Sequence, residues 1–222
     1  MKRLILLFFC FVTLNVNGKV LMADLNDGLV AYYPFNGNTK DESGNENNGI
    51  AEGITLSKDR FNNSNSAYKF DGQNDYINVP NINLLNFGKG SFTISVWVKV
   101  DDNMNKISNY FIIDKRKGSG AGKGYGFYLN SYVAKCALQG CTPNLTISSG
   151  IELNDSEWHH IVVVIDKTNS ISLIYDNLNI VKGGAIDCDI TNEGDLYIGC
   201  RFTKQEYFPG AIDDVRIYNR AL

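Results

Sequence analysis

From Phe92 to Val100 every second residue is apolar: Phe92, Ile94, Val96, Val98 and Val100 alternate with Thr93, Ser95, Trp97 and Lys99. Side chains of a strand point alternately to its two faces, so this run has one apolar face and one mixed face. The apolar face needs a second layer to cover it. No segment shows a sustained helical period that would supply a helix for that layer. The cover must therefore be another sheet. Further strand-like runs are Leu29–Phe35, Ala67–Phe70, Asp75–Val79, Tyr110–Asp114, Gly126–Leu129, Trp158–Ile165, Ile171–Tyr175, Leu196–Ile198 and Ala211–Tyr218. Asp71-Gly72, between the second and third of these, predicts a hairpin. The 222 residues include 27 Asn and 21 Gly but only 4 Pro, a composition of short strands joined by turns. With no linker and no internal repeat, the expectation is one all-β domain, a two-sheet antiparallel sandwich.

The N-terminus carries its own signal. Met1-Lys2-Arg3 precedes an apolar run from Leu4 to Leu14 broken only by Thr13. That is shorter than the roughly 20 residues needed to span a bilayer, and it matches an export signal. Residues 1–18 read as a signal peptide ending at Val16-Asn17-Gly18, with cleavage after Ala23 as the alternative, and residues 19–222 as the domain. The expected location is secreted, periplasmic or cell-surface. Net charge is −3 and the basic residues form no stripe, so nucleic acid is not an expected partner. No later segment is long and apolar enough for a membrane span. After cleavage four cysteines remain, Cys136, Cys141, Cys188 and Cys200. In an oxidising compartment they predict disulfides, and local turn closure favours Cys136–Cys141 and Cys188–Cys200.

Several stretches carry a specific resemblance. Gly28-Leu29-Val30-Ala31-Tyr32-Tyr33-Pro34-Phe35-Asn36-Gly37-Asn38 with Asp41-Glu42-Ser43-Gly44-Asn45 opens the series. Phe70-Asp71-Gly72 with Asp75-Tyr76-Ile77, then Phe92–Lys99, Glu157–Ile161 and Gly210–Asn219 follow in order. Together they resemble the laminin G-like, concanavalin A-like lectin/glucanase domains over nearly all of residues 24–222. The resemblance implies a jelly roll of two antiparallel sheets.

The catalytic branch of that fold sets two carboxylates on one strand face in a Glu-x-Asp-x-x-Glu run, and no such run exists here. Gly118–Gly124 lacks the spacing of a phosphate loop and reads as a surface turn. His159 and His160 are adjacent on a strand, so they face opposite sides and cannot share one site. No catalytic residue is expected. Trp97, on the polar face of its strand, could stack on a sugar ring, although a covering loop is the more economical reading.

A structural calcium ion is a further expectation, since jelly-roll relatives often carry one. The Asn36–Asn45 loop is rich in oxygen donors, which calcium prefers. Parity places Asp213 on the same face as Val215 and Ile217, where it would need pairing or a bound cation. The expected ligands are Asp41, Asp213, Asn36 and Asn38. The implied function is a non-catalytic module that binds an extracellular glycan or glycoprotein. A polysaccharide hydrolase or lyase, or a structural adhesion protein, are the alternatives.

Overall fold

The computed structural model describes residues 24–222 except 103, 170, 177–178 and 185–187, with backbone alone at 171–176 and 179. The export signal lies outside the described residues. Among them, no helix is long and apolar enough to cross a membrane.

Two antiparallel sheets make up the fold. In the first, β6 (Phe92–Val100) sits between β11 (Trp158–Asp166) and β15 (Pro209–Tyr218). Beyond β11 come β12 (Ile171–Asp176) and β13 (Asn179–Gly184). On the other side β15 pairs with both β1 (Leu29–Tyr33) and β4 (Ala67–Asp71), and β4 pairs with β3 (Thr55–Ser57). The second sheet runs in the order β10 (Leu145–Glu152), β9 (Val133–Gln139), β8 (Lys123–Asn130), β7 (Asn109–Lys117), β14 (Leu196–Ile198), β5 (Tyr76–Val79), β2 (Ile50–Glu52). The all-β sandwich read from the sequence is thus the observed architecture.

The apolar row of β6 is buried throughout, with Ile161 and Val163 of β11 and Ile212, Val215 and Ile217 of β15 beside it. The second sheet meets it with Ile77, Val79, Ile113, Tyr125, Phe127 and Leu129. At one end Phe87, Phe92 and Tyr125 form a ring cluster with centroids 4.7–5.4 Å apart. Each such side chain contributes about 1.5–3 kcal/mol on burial, so the core holds the two sheets together.

Two expectations change. The turn between β4 and β5 is not a hairpin, because β4 pairs with β15 and β3 while β5 pairs with β14 and β2. The chain crosses from one sheet to the other there, so Phe70 and Ile77 both enter the core from opposite layers. The cysteine pairing also differs: Cys141 is bonded to Cys188, while Cys136 and Cys200 are free and buried. Cys136 points inward from β9, which continues extended to Gln139. An extended chain advances roughly 3.3 Å per residue, so Cys141 is carried past the roughly 7 Å reach of a disulfide. Cys200 follows β14, which is held between β5 and β7. Burial pushes both free thiols up to about 12, so neither is a thiolate at neutral pH.

Non-reducing peptide mapping should return a Cys141–Cys188 peptide, with Cys136 and Cys200 alkylated only after unfolding. The bridge spans a sequence separation of 47. Loop-closure entropy then gives it about 4 kcal/mol, which a Cys141→Ser/Cys188→Ser variant should lose in a denaturant melt. A Cys136–Cys141 peptide would refute the assignment.

Candidate functional site

Strand β15 carries one residue too many for simple alternation. Ile212 and Val215 both face the core, and two residues, Asp213 and Asp214, lie between them. The register with β6 shifts between Asp213 and Arg216, and Asp214 takes a left-handed backbone with φ 51°. This is a β-bulge, which re-aims the side chains beside it. Asp213 pairs across the ladder with Trp97, on the outer face of the sheet. Parity counted from Val215 placed Asp213 in the core; the bulge reverses it.

The bulge also sits at a gap in the neighbouring strands. On this side of β15, β4 pairs with Pro209–Ile212 and β1 with Tyr218–Val215. Asp213 and Asp214 fall between the two partners. The result is a cleft of about 190 Å³, with Tyr32, Pro34 and Asn36 on the β1 side and Ser66 at the start of β4. Asp59 and Arg60 close it from the loop between β3 and β4. That loop is tied by Asp59, whose carboxylate accepts from the backbone N–H of Phe61 and Asn63 and from the Asn63 amide, each at 2.8 Å.

Arg60 is the centre of the arrangement. Its Nη1 donates to Asp213 Oδ2 at 2.6 Å and its Nη2 to Asp214 Oδ2 at 2.9 Å. The guanidinium lies 4.7 Å from the ring centroid of Trp97 and 4.7 Å from that of Phe61. Trp97 in turn stacks on His160, with centroids 4.8 Å apart and planes 13° apart. His160 Nε2 is 2.8 Å from Ser95 Oγ. A second layer follows alongside: Arg216 covers the Tyr32 ring at 4.4 Å and reaches Asp214 at 3.3 Å. Burial pushes the Asp213 carboxyl up to about 7 despite Arg60, with Asp214 and Asp59 adding to the rise. Burial pulls His160 down to about 4; Asp214 opposes this, and Arg60 and Arg216 reinforce it.

Trp97 is therefore covered, and the exposed ring is Phe61, which is 65% accessible. Sequence reasoning passed over Phe61 because a single Phe among Asn and Ser residues has no periodic signature. Its neighbour Arg60 was the available signal, as a cation beside an aromatic ring. His159 faces the other way and bonds Asp155 at 2.8 Å, as two adjacent strand residues must.

The residues expected around calcium are divided. Asn36 and Asp213 line the cleft, whereas Asp41 and Asn38 are not part of its lining. Asp41 accepts from Tyr32 N and Ser43 N through Oδ1 and from Ser43 Oγ and Asn47 N through Oδ2, at 2.8–2.9 Å. The charge facing Asp213 is a guanidinium. Among the described residues no group of three or more His, Cys, Asp or Glu could hold a metal.

The carboxylates of Asp213 and Asp214 are both engaged by Arg60, so neither is presented as a free acid or nucleophile. The arrangement suits recognition: a polar cleft, rigid by its own ion pairs, with an exposed aromatic ring stacked on its Arg60.

A family model described as Laminin_G_3, concanavalin A-like lectin/glucanases superfamily, matches residues 71–222. No curated protein matches. Among solved structures, the binding domain of Paraclostridial Mosquitocidal Protein 1 is similar with TM-score 0.74 at 20% identity. It covers 90% of this chain and 50% of that one. The binding domain of botulinum neurotoxin DC in complex with rat synaptotagmin II is similar with TM-score 0.68 at 17% identity, over 90% and 50%. A structure from botulinum neurotoxin type C, whose cell entry is described as dependent upon interaction with two ganglioside molecules, gives 0.69 at 18%, also over 90% and 50%. The chain spans about half the length of these proteins, and the likeness shows the fold.

His160 and Asp213 titrate in opposing senses. His160 has a folded pKa near 4, below its unfolded value of about 6.5, so the unfolded chain takes the proton first and stability falls as pH drops through that window. Asp213, near 7 when folded against about 3.9 unfolded, takes its proton first in the folded state, so stability rises as pH drops. An Asp213→Asn variant keeps only the His160 effect. Its melts should lose stability more steeply than the parent between pH 6.5 and 4, by up to about 3 kcal/mol at about 1.4 kcal/mol per unit. Parallel pH curves would show that Asp213 does not hold a raised pKa.

Proposed function

The chain belongs to the concanavalin A-like lectin/glucanases superfamily, and on that premise we propose that it is a non-catalytic recognition module for an extracellular glycan or glycoprotein. The observation that carries the reading is Phe61. Its ring is exposed and stacks on Arg60, which lines the polar cleft. A sugar ring offers an apolar C–H face to such a platform and hydroxyls to the groups beside it. Because Arg60 is itself locked by Asp213 and Asp214, little ordering remains to be done on binding. Asn36, Ser66 and the rim of Asp59 supply donors and acceptors for hydroxyls.

The similar toxin domains support a role in binding, since one is in complex with synaptotagmin II and cell entry of another toxin is described as dependent on interaction with two ganglioside molecules. Half of each of those chains lies outside the likeness, so the ligand itself does not transfer. A signal peptide at residues 1–18 would deliver the domain to extracellular glycans. Calcium is a separate part of the proposal. A melting midpoint raised by calcium and lowered by chelator would place an ion in the module; an unchanged midpoint leaves Arg60 as the cation facing Asp213.

A glycan array on the mature domain, followed by titration of its best hit, tests the reading. Phe61→Ala should weaken that hit at least tenfold, about 1.4 kcal/mol, with the melting midpoint unchanged because the side chain is exposed. Equal affinity of the parent and Phe61→Ala would remove this cleft as the site. Release of reducing sugar that one Asp or Glu substitution abolishes would replace the module with a hydrolase.

A further inference from the structure

The outer face of the second sheet carries its own pocket. After β14 the chain turns back over that sheet, and Phe202 N donates to Asp114 Oδ2 at 2.9 Å. Asp114 is fully buried and pairs with Arg116 through two bonds, at 2.5 and 3.0 Å. The Arg116 guanidinium lies 4.6 Å from the Phe111 ring centroid and 5.6 Å from that of Phe202. Phe202 packs so closely over Gly122 that a Cβ there would meet the ring at 3.0 Å, and Gly122 also has φ 76°. Phe202 is thereby fixed as one wall.

Tyr197 provides the facing aromatic side chain, beside Tyr76 at 6.0 Å, and Lys204 lies over the Tyr76 ring at 4.8 Å. Between Tyr197 and Phe202 is a pocket of about 220 Å³, bordered by Arg116, Lys117, Glu193 and Asp195. The loop carrying Glu193 and Asp195 is anchored from inside by Lys115, whose side chain is fully buried. Lys115 Nζ donates to Gly194 O at 2.8 Å, Asn192 O at 3.3 Å, Asn86 Oδ1 at 3.0 Å and Asn81 Oδ1 at 3.1 Å. An ammonium with four oxygen acceptors is satisfied, and it ties three chain segments to one point. The pocket is therefore preformed. Its rim groups remain accessible: Lys117 and Glu193 are exposed, and the bond from Lys117 Nζ to Glu193 O is long, at 3.4 Å.

Two aromatic walls with an ammonium and two carboxylates at the rim match the needs of a pyranose ring, apolar on its faces and hydroxylated around its edge. The carboxylates of Glu193 and Asp195 disfavour an acidic sugar. We infer that this pocket is a second saccharide site, for a neutral sugar, on the face opposite the Phe61 cleft, so that one domain holds two glycan chains. The choice of a sugar as ligand rests on the recognition-module reading, while the pocket itself does not involve the first cleft.

The test uses the isotope-labelled domain and four probes at millimolar concentration: the methyl glycosides of glucose, galactose, mannose and N-acetylglucosamine. At least one should shift the backbone amides of Gly194–Tyr197 and Phe202. Tyr197→Ala should raise the dissociation constant read from those signals at least tenfold. Lys117→Met, at an exposed position, should weaken the same binding if Tyr197→Ala proves unstable. Phe61→Ala should leave these shifts intact, which separates this site from the first. Shifts confined to the surroundings of Phe61, or shifts near Tyr197 that survive both substitutions unchanged, would overturn the second site. So would the absence of any shift near Tyr197, whatever happens at Phe61.

Discussion

Between Ile212 and Val215, two core residues, β15 accommodates a pair of carboxylates where alternation has room for one residue. The Arg60 cleft on the outer face of the first sheet depends on that insertion. Without it Asp213 would enter an interior of Ile and Val side chains, at a cost that burial of an unpaired charge makes prohibitive. With it, both carboxylates emerge where β4 has ended and β1 has not begun, the one place along β15 where a third segment can approach. Arg60 takes that place, and its fork geometry lets one guanidinium satisfy two acids and lie between two aromatic rings. Without the guanidinium Asp213 would be a buried charge with no cation, whereas Asp214 would keep Arg216, so the loop bearing Phe61 is held by the same interaction that makes the bulge tolerable.

The strands were legible where burial leaves a pattern. Phe92–Val100 announces itself because the core selects every second side chain, and Trp158–Ile165 because Ile161–Ile165 is buried on both faces and apolar throughout. The three-residue strands β2 and β3 are largely exposed, so burial leaves no pattern in them. Pairing was less legible than existence. Strands β4 and β5 have the spacing of a hairpin, but which sheet each joins is decided by β14 and β15, far along the chain. The bulge was illegible for a related reason: Asp213-Asp214 permits two parities, and only the burial of both Ile212 and Val215 chooses between them.

Polar burial leaves little trace in the sequence. Lys115-Arg116-Lys117 resembles an ordinary run of surface charge. On strand β7 the three have three fates: Lys115 is enclosed by carbonyl oxygens, Arg116 is paired with Asp114, and Lys117 is exposed. Likewise the cysteines nearest in sequence are not the bonded ones, since strand extension separates neighbours while sheet order brings Cys141 and Cys188 together. Local closure is a sound expectation in loops and a poor one across a strand.

A sandwich of this kind has two outer faces, and most of each is ordinary polar surface. What sets apart the two regions described is that their charges are already spent on one another, Arg60 with Asp213 and Asp214, Arg116 with Asp114. Charges paired in this way contribute rigidity, so the groups left for a partner are the rings and the rim: Phe61 on one face, Tyr197 and Phe202 on the other. On the proposed reading, such a surface is matched to a ligand that is itself mostly uncharged, flat and hydroxylated. The fold alone would not say so, because one fold hosts many functions, and the case rests on those particular side chains.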